Sequence, residues 1–334
     1  MTSDQAILII GPSWVGDMVM AQALFKTVQT LQPHTPIDLV APAWALPLAQ
    51  RMPEIRQGIP LPLGHGQLGL ATRYRLGRQL QGRYQQAILL PNSFKSALLP
   101  LFAAIPKRTG FLGEWRWGLL NDIRRLDKQQ LPRTVDRFVA LGLPPETRLP
   151  AAIPLPALSA HLEQGAAILK HHGLPSSGPL LALCPGAEYG AAKQWPVRHF
   201  ATLATGRINS GWRVVVLGSA KEQELGQAIL SDLPPAQALN LAGRIPLEQA
   251  VDVLALADAV VTNDSGLMHV AAALNRPGVA LFGSSDPRHT PPLGSSLRVV
   301  SLNLPCAPCF ARRCPEGHTR CLEQITPEQV NQWL

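Results

Sequence analysis

The sequence predicts an α/β protein made of two parallel-sheet domains, and three observations carry that prediction. Apolar runs of four to seven residues bounded by Gly or Pro alternate with longer amphipathic stretches, the pattern of buried strands joined by crossover helices. The chain has 334 residues, 46% hydrophobic and 16% charged, which excludes disorder as the main theme and supplies apolar material for two cores. The stretch LGLPPETRLPAAIPLPALS places five prolines between Pro144 and Pro156. Proline fixes φ and removes a donor, so this stretch reads as an extended linker with the domain boundary near residue 155.

In the first half the runs predict strands at Ala6–Ile10, Ile37–Val40 and Ala87–Leu90, with a helix over Met18–Thr30 after the first. The second half predicts strands at Leu180–Cys184, Arg213–Leu217, Ala259–Thr262 and Gly278–Phe282. Helices over Val197–Ile208, Lys221–Ser231, Leu247–Leu256 and Gly266–Leu274 alternate with them, as βα units demand. Thr326 followed by Pro327 is an N-cap before a first-turn proline, which predicts a short closing helix. Two such domains facing one another are expected to leave a cleft at the carboxyl ends of their strands, where ligands of open α/β sheets bind.

Charge divides the chain as sharply as proline does. Residues 1–155 hold 17 Lys or Arg against 9 Asp or Glu, and residues 156–334 hold 13 of each, so the net +8 lies entirely in the first half. The asymmetry implies that the halves bind different things, with an anionic partner for the first. Its clusters are Arg73/Arg75/Arg78, Lys107/Arg108, Arg124/Arg125 and Arg133/Arg137, any one of which also reads as a solvated face. The start, MTSDQAILII, has an acidic residue and no basic region before its apolar run, so it does not read as a signal peptide. No apolar run reaches the roughly 18 residues of a membrane span, and the expectation is a cytoplasmic protein that touches a membrane surface.

Three loops that follow strands carry the candidate chemistry. Gly11-Pro12-Ser13-Trp14-Val15-Gly16-Asp17 resembles a phosphate-binding turn but is neither GxGxxG nor a P-loop, and it ends in a carboxylate. Asp17 is therefore suited to hold or deprotonate a hydroxyl, or else simply caps the helix. A helix start lowers a carboxylate pKa and weakens it as a base unless burial offsets that. The loop Cys184-Pro-Gly-Ala-Glu-Tyr-Gly-Ala-Ala-Lys193-Gln-Trp-Pro196 allows close backbone approach and offers one lysine to a diphosphate; a solvated lysine is the alternative. Thr262-Asn263-Asp264-Ser265-Gly266-Leu267-Met268-His269 is the strongest constellation: Ser265 as a cap, Gly266 in a bare first turn, and His269 on the same helix face. Weaker signals are Glu222, placed like the ribose-holding acid of dinucleotide folds, and Asn240-Leu-Ala-Gly243 for a base edge.

Cys306-x2-Cys309-x4-Cys314-x6-Cys321 holds enough thiols for a tetrahedral zinc site. Its spacing is not that of a standard finger or ribbon, and reduced thiols or a facultative disulfide are the favoured reading.

Taken together, PSWVGDMVM at 12–20, KRTGFLGEWRWGLLND at 107–122, PGAEYGAAKQWP at 185–196, LGSAKE at 217–222, NDSGLMHVAAAL at 263–274 and the tail CAPCFARRCPEGH resemble the ADP-heptose:lipopolysaccharide heptosyltransferases. The Ser13–Asp17 loop and the Gly113–Asp122 stretch are more similar to the type II branch than to type I. The resemblance implies a GT-B architecture, two Rossmann-like domains facing across a central cleft, with residues 1–155 binding acceptor and 156–334 binding donor. It further implies inverting, metal-independent transfer of L-glycero-D-manno-heptose from ADP-heptose to a heptose of an anionic lipopolysaccharide inner core. By the same analogy Asp17 is the general base and Lys193 neutralises the ADP leaving group. Ser265, Gly266 and His269 share the diphosphate, Glu222 holds the ribose, and Asp264 contacts the donor sugar or organises its loop. Ser13, Trp14, Gly16, Lys107 and Arg108 are the expected acceptor contacts. Type I and later-acting heptosyltransferases are the nearest alternatives, followed by a nucleotide-sugar epimerase and a basic membrane-docking module. Nucleic acid drops out as a partner, and the absence of the glycine fingerprint disfavours an oxidoreductase.

Overall fold

An apolar run with no polar alternation is stable only in a strand covered on both faces, and β1 (Ala6–Ile10) is such a strand, buried at every residue. The computed structural model describes residues 6–64 and 66–334. The chain divides between Pro156 and Ala157 into two units.

The first unit continues from β1 through α1 (Val15–Leu31), β2 (Ile37–Pro42), α2 (Leu46–Ala49), β3 (Ile55–Leu61), α3 (Leu70–Leu80) and β4 (Tyr84–Leu89). It is completed by α4 (Phe94–Phe102), β5 (Lys107–Phe111), β6 (Asp122–Arg124) and α5 (Thr134–Gly142). The six strands are all parallel, in the order β3-β2-β1-β4-β5-β6. One core cluster forms on Leu8, Ile10, Val40, Leu89 and Leu99. At the amino end of the strands, Asp38 is fully buried and accepts from Arg56 at 2.8 and 2.7 Å and from the Tyr84 hydroxyl at 2.6 Å, which ties β2, β3 and β4 together.

The second unit runs α6 (Leu162–His171), β7 (Leu180–Cys184), α7 (Val197–Asn209), β8 (Arg213–Val216), α8 (Gln223–Leu230), β9 (Ala238–Asn240), α9 (Leu247–Leu254) and β10 (Ala259–Asn263). It ends with α10 (Gly266–Ala273), β11 (Gly278–Leu281), β12 (Leu297–Val300), α11 (Arg320–Glu323) and α12 (Pro327–Asn331). Its sheet is also parallel, ordered β12-β11-β10-β7-β8-β9. Counted from the first strand of each unit the two orders are the same, although the sequences of the halves show no repeat. Both are doubly wound, and each has its order reversal beside its first strand: β1/β4 in one unit and β7/β10 in the other. Neither helix nor strand occurs between residues 143 and 161. At the close of the chain, Thr326 and Gln329 form a capping box around Pro327.

The sequence predicted the central strands and missed the outer ones. β3, β6, β9 and β12 carry Arg, Gln, Asp or Asn within runs of three to seven residues, because an edge strand leaves part of its surface to solvent and needs no unbroken apolar run, and β5, next to the edge, opens with exposed Lys107. The helix predicted at Lys221 instead starts as a 3-10 turn over Ala220–Glu222 that leads into α8.

Candidate active site

In the first unit a cavity of about 1040 Å³ opens at the carboxyl ends of the strands around the β1/β4 reversal. The Leu90 amide donates to the Ile10 carbonyl at 3.1 Å, so the loops after β1 and β4 leave the sheet side by side. Asp17 lies in the first turn of α1 and Lys95 in the first turn of α4, and both line the cavity with Ser13, Trp14 and Arg137. Trp14 is the N-cap of α1 but makes no side-chain cap bond, and Gly16 is buried within the first turn rather than at the cavity wall.

The Asp17 carboxyl has no hydrogen-bond or ion-pair partner among the described residues, and burial raises its pKa to about 6. The sequence posed a contest between the helix start, which lowers the value, and desolvation, which raises it. Desolvation wins, leaving a carboxylate that is ionised at neutral pH and basic enough to take a proton.

Arg116 shapes this cavity from behind. Its guanidinium is fully buried and donates to the Pro91 carbonyl at 2.8 Å, to Asn92 Oδ1 at 3.3 Å, to Ser96 Oγ at 3.3 Å and to the Phe111 carbonyl. These bonds fix the β4–α4 loop against the end of β5. Gly113 is required beside it, because a Cβ there would sit 2.2 Å from the Asn92 carbonyl oxygen. Burial lowers the Arg116 pKa to about 10, so it remains a cation at neutral pH.

Two expected acceptor contacts lie elsewhere. Lys107 and Arg108 open β5, whereas the cavity is at the carboxyl end of that strand, where Phe111 lines it. Lys107 pairs with Asp122 at 3.6 Å, and Arg108 donates to the Leu119 and Ile105 carbonyls, each at 2.7 Å. A parallel strand separates its first and last residues by its full length, and nearness in sequence to the GFLGEW stretch concealed this. The cations that do reach the cavity are Arg73, Arg137 and Lys95. The first two stood in the sequence's basic clusters; Lys95 did not, being a single lysine in an apolar helix.

In the second unit a polar cluster bridges the β7/β10 reversal. Lys193 Nζ, from the loop after β7, lies 2.5 Å from Asp264 Oδ2 at the end of β10, and Ser285 Oγ donates to the same oxygen at 2.5 Å. Asn263 supports the arrangement: its Oδ1 accepts from the Trp195 amide at 3.0 Å and its Nδ2 donates to the Pro185 carbonyl at 2.6 Å. Asn263 and Ser285 were not singled out from sequence; the first is legible only as one letter of the NDSG run, and the second follows a different strand.

Ser265 sits at the N-cap of α10 but makes no cap bond, so the expected cap is not formed; its hydroxyl faces Thr262 Oγ1 at 3.4 Å. The first-turn amides around Gly266 are thereby left to an incoming acceptor such as a phosphate. His269 is buried on the same helix, and burial depresses its pKa to about 4. It is a neutral imidazole at pH 7, a donor or acceptor but not a charge.

Glu222 is buried beside Gly186 and Gly218 at the ends of β7 and β8, but one of its oxygens is already committed. Oε2 accepts from the Ser219 amide at 2.8 Å and the Ser219 hydroxyl at 2.7 Å in a capping box, which leaves Oε1 for a ligand. The S-x-x-E spacing of Ser219 and Glu222 is the signal of such a box, which the reading of Glu222 as a ribose ligand passed over.

The four clustered cysteines are free thiols: Cys306 and Cys309 are exposed, Cys314 and Cys321 half-buried. Backbone amides, that of Thr319 foremost, hold the Cys314 thiol below its ordinary value, whereas burial and then the other three thiols raise Cys321. Among the described residues no three His, Cys, Asp or Glu side chains converge in an arrangement that would hold a metal ion.

Two parallel doubly wound domains, a partly buried carboxyl in one and a bare helix start beside a lysine–aspartate pair in the other, are the architecture of a GT-B-type glycosyltransferase. Residues 73–320 match the model of glycosyltransferase family 9 (heptosyltransferase), and the chain belongs to that family. It is 48% identical over 333 residues to lipopolysaccharide heptosyltransferase 2 of Escherichia coli K12, covering 97% of this chain and 96% of that one. It is 47% identical to lipooligosaccharide heptosyltransferase 2 of Haemophilus influenzae, with 89% and 88% covered. Among solved structures, E. coli ADP-heptose lipopolysaccharide heptosyltransferase II superposes with a TM-score of 0.88 at 46% identity, over 98% of this chain and 97% of that one.

Proposed function

We propose that this glycosyltransferase moves L-glycero-D-manno-heptose from ADP-heptose to a heptose of the lipopolysaccharide inner core, with inversion and without a metal ion. The observation that carries the chemical reading is the Asp17 carboxyl: unpartnered, desolvated and facing a cavity large enough for a sugar acceptor. Full-length similarity to proteins named heptosyltransferase 2 supports the choice of reaction.

In the proposed reaction the Asp17 carboxylate accepts the proton of an acceptor hydroxyl as that oxygen attacks the anomeric carbon of the donor. The bond from that carbon to the diphosphate breaks on the opposite face, and ADP departs with its electron pair. Residues 1–155 take the acceptor, whose phosphate and carboxylate groups account for the +8 carried there and for the cations at the cavity. Residues 156–334 take the donor through the Lys193/Asp264 cluster, the Gly266 helix start, neutral His269 and Glu222 Oε1. Trp14 and Trp44, each 46% exposed at the cavity, supply flat surfaces for sugar rings. We place the enzyme in the cytoplasm, in peripheral contact with the inner membrane where a lipid-anchored acceptor is presented; no helix among the described residues is long and apolar enough to cross a membrane.

The test is transfer by the purified chain from ADP-heptose to a heptosylated lipid A core. Turnover should need both substrates, persist in strong chelator and vanish in Asp17→Ala with donor affinity intact. Donor consumption without acceptor, or wild-type turnover by Asp17→Ala, would overturn the reading.

A further inference from the structure

The donor cluster contains less positive charge than its chemistry needs. A departing diphosphate gains a negative charge, and Lys193 is the expected counter-charge, yet its ammonium is already matched by Asp264 at 2.5 Å. His269, on the helix that follows Asp264, is neutral. Two other cations of this unit's loops are likewise paired, Lys221 with Glu188 and Arg288 with Asp286.

One cation beside Lys193 is held differently. The Arg312 guanidinium lies 5.4 Å from the centroid of the Tyr189 ring, and Lys193 Nζ lies 5.2 Å from the same centroid. Arg312 is exposed and no carboxylate among the described residues pairs with it. Its position is nonetheless fixed through the backbone. The Ala192 amide donates to the Arg312 carbonyl at 3.1 Å, the Tyr189 hydroxyl donates to the Phe310 carbonyl at 2.8 Å, and the Phe310 amide donates to the Ser284 carbonyl at 2.7 Å. The approach is so close that a Cβ on Gly190 would lie 2.3 Å from the Arg312 carbonyl oxygen. The cysteine-bearing tail is thus pinned to the loop that carries Lys193.

We propose that Arg312 is a second leaving-group residue, whose guanidinium engages the β-phosphate of the nucleoside diphosphate and supplies the charge that the Lys193/Asp264 pair does not. This rests on the donor reading given above. A guanidinium is more weakly hydrated than an ammonium and presents a planar fork to phosphate oxygens, which suits one held within cation–π range of a tyrosine to a group whose charge grows during reaction. The irregular tail thereby acquires a role, since it carries the cation and sets it against the Lys193 loop.

The experiment measures equilibrium binding of ADP and of AMP to the full-length chain, for wild type, Arg312→Ala and Arg312→Lys. Because the tie to Ala192 runs through the Arg312 carbonyl, the substitution leaves it in place. Arg312→Ala should weaken ADP by about 10- to 100-fold, leave AMP within about twofold and lower kcat by a comparable factor, with Arg312→Lys in between. Equal losses for ADP and AMP would mean a merely structural role, and unchanged ADP affinity would mean no role; either overturns the proposal. A wild-type chain that transfers no heptose would sink the donor reading instead, while the ADP-to-AMP ratio would still report on Arg312.

Discussion

Lys193 and Asp264 join the loops after β7 and β10 through a 2.5 Å ion pair, across the point where the strand order of the second sheet reverses. The pair is nearly buried, and Ser285 adds a third group to the same carboxylate oxygen. Asp264 therefore aims Lys193 and at the same time offsets its charge. Asp264→Asn should lower turnover about 10- to 100-fold by releasing the lysine, while ADP affinity stays equal to wild type or rises because a buried negative charge is gone. Steady-state kinetics beside ADP titration separate the two effects; a loss of ADP affinity would show that Asp264 does more than position.

The raised Asp17 pKa predicts two pH effects of opposite sense. As a base it must be ionised, so kcat/KM should climb with pH through an inflection near 6 and level off above it. Stability runs the other way. The unfolded carboxyl ionises near 4 and the folded one near 6, so folding loses stability as pH rises between those values and stays at the lower level above them. Asp17→Asn should consequently be inactive yet more stable than wild type at pH 8, by about 1–3 kcal/mol. Thermal unfolding at pH 4 and pH 8 checks this: the difference should be present at pH 8 and largely gone at pH 4.

Acceptor binding should follow the cavity cations rather than the basic dipeptide that opens β5. Lys95 has no partner among the described residues and stands in the first turn of a helix, the unfavourable end for a cation, which an anionic acceptor group would offset. Lys95→Ala should raise the acceptor KM about 5- to 50-fold and leave the donor KM unchanged. Lys107→Ala, at an exposed ion pair at the amino end of β5, should change neither. Equal effects of the two substitutions on acceptor KM would refute this assignment.

Arg116 should prove structural. Removing a fully buried guanidinium takes the donor from the Phe111 carbonyl and one of two donors from the Pro91 carbonyl, at about 3 kcal/mol. Arg116→Met should lower the Tm of the first unit by about 6–12 °C. Calorimetry of the whole chain should show this transition moving while that of the second unit stays put.

Much of this protein is legible in its sequence, and which parts are follows from burial. Ala6–Ile10 and Leu180–Cys184 emerge with their observed bounds because a strand covered on both faces must be apolar throughout. Leu297–Val300 does not, because an edge strand tolerates charge, and Lys107–Phe111 does not, because its amino end is exposed and carries Lys107 and Arg108. The candidate residues Asp17, Lys193, Asp264 and His269 are legible for a related reason: each follows the carboxyl end of a strand by a few residues, where a doubly wound sheet places its ligands. The missed residues Asn263, Ser285, Arg116 and Lys95 act through at least one partner 20 or more positions away in the chain or through a cavity wall, and no local pattern marks such pairings.

The sequence by itself determined two parallel α/β domains, a proline-rich linker with a boundary near residue 155 and a net positive charge confined to the first half, since these follow from composition, proline and local periodicity. Tertiary structure alone decided which charges are available for chemistry. Packing withdrew part of the solvent from Asp17 and nearly all of it from His269, tied Lys193 to Asp264, committed one oxygen of Glu222 to Ser219, and carried Lys107 and Arg108 to the end of β5 away from the cavity. Charge counts add along a chain, whereas solvation and pairing depend on what folding brings within a few ångströms.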